Sequence, residues 1–281
     1  MIRDCQHAGY SAIEIVERGT RMVIVHAVGP RIAWFGAARG ENLLFWDHDG
    51  SHTRGEWALR GGHRLWVTRP DADEAEETYA PDNAACRVRR QRDGCVITAP
   101  PDPARLEKSL AIRVRGDAWT VEHRIRNASD MLWSGGAWAL TCTLPGRDTR
   151  YRIPLDGGAP AWDVLTMVIP RRWGGTHTSR LVDPQFSLTE QALEITPRGE
   201  EAKRMLFAPR GQLEMRDPER GGFVKSATLL AGRYPCATNV AIYLGPKRFM
   251  VELETMSPIA TLAPGQVLRH VEHWTRPVRR S

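Results

Sequence analysis

Two carboxylates stand two residues apart in Met250-Val251-Glu252-Leu253-Glu254-Thr255-Met256. The alternation predicts a strand with Met250, Glu252 and Glu254 on one face and Val251, Leu253 and Thr255 on the other. At two residues' rise the carboxylates lie about 7 Å apart on the same side of a sheet. On a solvated face they form an ordinary polar stripe. Lining a cavity, charges this close push at least one pKa upward, which suits a carboxylate to proton transfer near neutral pH.

A second cluster is Gly61-Gly62-His63-Arg64-Leu65-Trp66. Two glycines ahead of an alternating run predict a backbone that bends sharply or approaches something closely. In a strand His63 and Arg64 face opposite ways, and with Trp66 they make a corner that could hold a sugar or an anion. Trp138, in the glycine-hinged run Trp133–Thr141, can stack on a sugar face or anchor the core. Arg64, Arg171, Arg172 and Lys225 would suit a carboxylate or phosphate on a ligand, or be solvated surface.

The elements that must position these residues are strands. Tyr10 to Gly36 reads as three, and Cys86 to Leu144 as a five-stranded meander broken at turn-forming Asp-Gly, Pro-Pro-Asp-Pro and Asn-Ala-Ser-Asp sequences. Trp119, Val121, His123 and Ile125 share an apolar face, which favours a core histidine over a site residue at His123. Leu268, His270, Glu272 and Trp274 share one side of a last strand. Pro70 to Asn83 is an acidic loop, and helical periodicity is weak throughout. With no repeat or linker dividing it, the chain is expected to be all-β, one large antiparallel β-sandwich over residues 1–281.

The 281 residues carry 42% hydrophobic and 26% charged side chains, a globular composition. No apolar run approaches a membrane span, so no membrane partner is expected. The net charge of +6 is almost all arginine, interspersed with acids and without any nucleic-acid-binding motif, so no nucleic-acid partner is expected. Five widely spaced cysteines and no apolar leader predict a reducing, cytoplasmic setting without disulfides. Nine histidines stand at no metal-ligand spacing with an acidic partner, so neither a metal nor another cofactor is expected.

Together, Val28-Gly29-Pro30-Arg31-Ile32 with Gly40-Glu41-Asn42, then Gly61–Trp66, then Glu252–Thr255 through Leu262-Ala263-Pro264-Gly265 and Trp274 resemble the galactose mutarotase-like superfamily. Trp138-Ala139-Leu140-Thr141 and Pro145-Gly146 match one branch of it. The resemblance implies a sandwich whose concave face binds a carbohydrate or sugar acid. It makes Glu254, in Leu253-Glu254-Thr255, the base that takes the anomeric proton. His63 resembles the first site histidine and Arg64 the arginine of related sugar-phosphate epimerases. Substrate contacts are then expected from Arg64, Glu252, Trp138, Lys225 and Trp66.

Two departures stand out. The family's His-x-Tyr-Phe-Asn acid motif is replaced by Gly136-Ala137-Trp138-Ala139, and its Tyr-Pro-Asp by Tyr234-Pro235-Cys236. The general acid is open, with His123 and His177 as candidates. A mutarotase or epimerase leads; a binding module without catalysis, or a lyase or isomerase in the same cleft, stands beside it.

Overall fold

The computed structural model describes residues 1–69, 82–156, 164–173 and 177–277. Most of the acidic loop, Gly174 to Thr176 and the side chain of His177 lie outside the described residues. Apart from two short 3-10 turns, Pro235–Ala237 and Pro246–Arg248, the regular elements described are strands. None is a helix long and apolar enough to cross a membrane.

Two large antiparallel sheets face each other. The first runs in the order Ile2–His7, Tyr10–Glu17, Thr20–Val25, Arg31–Ala37, His63–Thr68, Trp133–Thr143, Val251–Met256, Val240–Leu244, Ala202–Leu206 and Met167–Val168, with Ala260–Leu262 also paired to Trp133–Thr143. The second runs Phe186–Leu188, Ala192–Ile195, Arg150–Pro154, Gln212–Asp217, Gly221–Ala227, Val267–Thr275, Ala118–Asn127, Leu106–Arg115, Gly94–Thr98 and Arg87–Gln91. The all-β sandwich expected from the turn spacing is the observed architecture. The meander is shorter than expected: its first four strands are neighbours, but Trp133–Thr143 crosses to the first sheet. That strand is buried from Gly135 to Thr143, as a strand covered on both faces must be.

The core between the sheets gathers Ile24, Leu65, Val121, Ile242 and Leu253 around an aromatic centre. Phe35 meets Trp119, Phe223 and Trp274 edge-on at 5.9, 5.6 and 5.2 Å. Burying rings of this size supplies much of the association energy between the layers.

Gly61 and Gly62 bend the chain into the His63–Thr68 strand, with φ of +81° and +71°. A Cβ on Gly62 would lie 2.3 Å from the carbonyl oxygen of Ile32, and one on Gly61 equally close to that of Phe45. Both a left-handed backbone and a close approach therefore demand glycine. Gly62→Ala is expected to cost about 1–3 kcal/mol, read as a lower denaturant midpoint. An unchanged midpoint would show that the bend tolerates a side chain.

Candidate functional site

The outer face of the first sheet carries a cleft of about 530 Å³ over its central strands. Strand alternation presents Arg64 and Trp66, Trp138 and Leu140, Glu252, Tyr243 and Lys203 to it from five adjacent strands. Trp57 and His52 close one side. Trp66 and Trp138 meet edge-to-face at 5.5 Å and give the floor an aromatic surface. His52 stacks on Phe249 at 4.7 Å, its Nδ1 lying 3.1 Å from Asp47 Oδ1.

Each carboxylate of the pair has its own cation. Arg64 Nη2 lies 3.3 Å from Glu252 Oε1, donates from Nη1 to Leu59 O at 3.0 Å, and stacks over Trp66 at 4.0 Å. Cys142 Sγ also donates to Glu252 Oε1, and burial pushes that thiol's pKa up. Glu254 is buried just behind the cleft surface, where Trp138 Nε1 donates to its Oε2 at 2.9 Å and Lys203 Nζ lies 3.5 Å from the same oxygen. The repulsion suggested by the Glu252/Glu254 spacing is thus offset at each group by a positive charge. Lys203 reaches Glu254 because the intervening strand places only Ala241 opposite Glu254.

His63 and Lys225 are elsewhere. Both are fully buried between the sheets, on the side of the first sheet away from Glu254, and neither lines the cleft. His63 pairs with Thr141 across the strands, whereas Arg64 pairs with Leu140, which pairs in turn with Glu254. The expected contact of Lys225 with a ligand in this cleft is therefore replaced by a structural one. Arg171 and Arg172 are exposed and do not line the cleft.

The interior residues form one hydrogen-bonded chain. Lys225 Nζ donates to Thr141 Oγ1 at 2.9 Å and Leu253 O at 3.0 Å, and pairs with Glu272 Oε1 at 2.8 Å. Thr141 Oγ1 lies 2.8 Å from His63 Nδ1; His63 Nε2 lies 2.7 Å from His123 Nε2; His123 Nδ1 donates to His270 O at 2.9 Å. That last bond fixes the tautomer, so His123 Nε2 accepts from His63 Nε2–H, and His63 Nδ1 accepts from the threonine. Thr255 donates to Glu272 and accepts from His270 Nε2, and Trp274 Nε1 donates to Glu272 Oε2 at 2.7 Å. His63, His123 and Glu272 have ligand atoms within 4.8 Å of one another, but the Lys225 ammonium already supplies the positive charge there, so the donor set does not suit a divalent ion. His123, expected in the core, is there.

Burial holds all three histidines neutral, His63 and His123 below the ordinary value of 6.5 and His270 down to about 3. Burial alone would raise Glu272, but the Lys225 ammonium 2.8 Å away holds that carboxyl well below its ordinary 4.5. Below 6.5 the unfolded chain protonates imidazoles that the folded protein leaves neutral, so this part of the stability is full above 6.5 and is lost as pH falls towards 3. Glu272 acts in the same direction below 4.5. Denaturant midpoints are expected to fall between about pH 7 and about pH 5; a flat profile across that window would contradict the neutral chain.

No protein-family model matches the sequence, and comparison with curated proteins finds no match. Among solved structures, a candidate aldose 1-epimerase from Escherichia coli K12 superposes with a TM-score of 0.65 at 11% identity, over 98% of this chain and 99% of that one. A galactose mutarotase-like protein from Lactobacillus casei gives 0.63 at 11%, over 94% and 99%. One from Clostridium acetobutylicum gives 0.60 at 11%, over 98% and 97%. The chain therefore has the galactose mutarotase-like fold, as its sequence blocks suggested.

Lys203, Trp57 and His52 were not singled out from the sequence. Lys203 comes from a strand distant in sequence, and its one local signal is an alternation with Met205 that marks a face without naming its use.

Proposed function

We propose that the protein is a mutarotase- or epimerase-type enzyme that takes a neutral pyranose into this cleft. The observation that carries the reading is the Glu254–Lys203 pair, 3.5 Å apart beside the tryptophan floor. The anomeric oxygen and the ring oxygen share C1, so the groups that serve them must be neighbours, as these are. Glu254 takes the proton of the anomeric hydroxyl as the C1–O5 bond breaks, while Lys203 hands a proton to O5. The open-chain aldehyde rotates about C1–C2, and reversal of both transfers closes the other anomer. Trp138 positions Glu254 and, with Trp66, lines the apolar floor on which the sugar sits. Arg64 and Lys203 balance Glu252 and Glu254, which favours an uncharged sugar over a sugar phosphate.

A binding module without catalysis is the second reading. It is favoured by the sequence's departures from the family pattern, with Gly136-Ala137-Trp138-Ala139 in place of the acid motif and Tyr234-Pro235-Cys236 in place of Tyr-Pro-Asp. Exchange NMR of anomer interconversion, on neutral aldoses, uronates and sugar phosphates, tests both. Acceleration of a neutral aldose is expected, falling about 100-fold or more in Lys203→Met. Ligand line broadening without acceleration would select the binding module, and neither effect with any sugar would end both readings.

A further inference from the structure

On the opposite side of the sandwich, the outer face of the second sheet carries a groove of about 580 Å³. Arg87 and Arg89 enter it from the edge strand, and Arg124 and Arg126 from the strand Ala118–Asn127. Register aligns Arg87, Thr98, Ser109 and Arg124 in one row across four strands, which sets the two arginines about 14 Å apart with hydroxyls between them. Arg89 and Arg126 make no hydrogen bond or ion pair among the described residues, and both are exposed. Arg87 pairs with Glu107 at 3.3 Å and Arg124 with Glu122 at 2.9 Å. Like charges gathered on one sheet face oppose folding, so a partner that neutralises them is stabilised here.

We propose that this groove docks an acidic polysaccharide of the polyuronate class, one carboxylate per sugar. Guanidinium groups recognise carboxylates through paired hydrogen bonds, and the hydroxyls of Thr98 and Ser109 suit the hydroxyls of a sugar chain. Glu107 and Glu122 stand within the arginine set, so its charge density is modest and a polymer as densely charged as duplex DNA or heparin is repelled at those points. Among the described residues no aromatic ring lines the groove, so the stacking platform that single-stranded nucleic acids use is not among them. The surface is separate from the cleft and does not depend on its chemistry.

The test is calorimetric titration of the full chain with a polygalacturonate oligosaccharide. Saturable binding is expected, weakening as salt is raised, and at least about tenfold weaker in Arg89→Ser/Arg126→Ser. Glu107→Gln is expected to tighten binding, a gain that misfolding cannot produce. The proposal is overturned by absent polygalacturonate binding, by unchanged affinity in the double variant, or by tighter binding of heparin or duplex DNA under the same conditions.

Discussion

Lys225→Met is expected to lower the unfolding free energy by about 3–5 kcal/mol, because it leaves Glu272 as an uncompensated charge between the sheets. The ammonium is fully buried and holds three partners besides Glu272: Thr141 Oγ1, Leu253 O and, at 3.5 Å, Ala139 O. Methionine matches the stem but donates to none of them. Removing both charges should cost less than removing one, since an ion pair in a dry interior is costly to form but costlier to break. Lys225→Met/Glu272→Leu is therefore expected to recover part of the loss, and the single variant to recover some of it at acid pH, where Glu272 takes a proton. Denaturant titration reads all of these. A single variant within about 1 kcal/mol of wild type would show that the carboxylate finds other compensation.

This network also marks where sequence reading stops. Alternation placed Trp119, Val121, His123 and Ile125 on one face, and Leu268, His270, Glu272 and Trp274 on another, and both faces turn inward. It separated Glu254 from Leu253 and His63 from Arg64 onto opposite sides of their strands. It did not say which side of His63–Thr68 meets the cleft, because all six residues are buried and neither face has a solvent signature. Arg64 and Trp66 took the cleft side; His63 took the core. Lys225 is harder still: a lysine in a half-polar strand reads as surface, and only Glu272, brought alongside by the pairing of Gly221–Ala227 with Val267–Thr275, makes its burial tolerable. Lys203 meets Glu254 only through the order of three strands in the sheet, which no local spacing encodes. The Gly61-Gly62 bend, by contrast, depends on the missing Cβ itself and was legible directly.

Glu254→Gln is expected to reduce the anomer-exchange rate by about 100- to 10,000-fold, the range that a positioned base contributes. Glutamine keeps the volume and, through its amide oxygen, an acceptor for Trp138 Nε1, so the tryptophan floor is retained while the basic oxygen is lost. Lys203 loses the charge 3.5 Å away, and some loss of stability must accompany the change. Stability and catalysis separate by measuring the thermal midpoint and sugar affinity on the same protein. Under the proposed mechanism the variant still binds and folds while exchange collapses, because the sugar rests on Trp66 and Trp138 and the proton acceptor alone is missing. Exchange at the wild-type rate would move the base to Glu252, the carboxylate that itself lines the cleft. Loss of binding together with activity would make Glu254 the group that orients Trp138 and Lys203, a positioning role that its place just behind the cleft surface also permits.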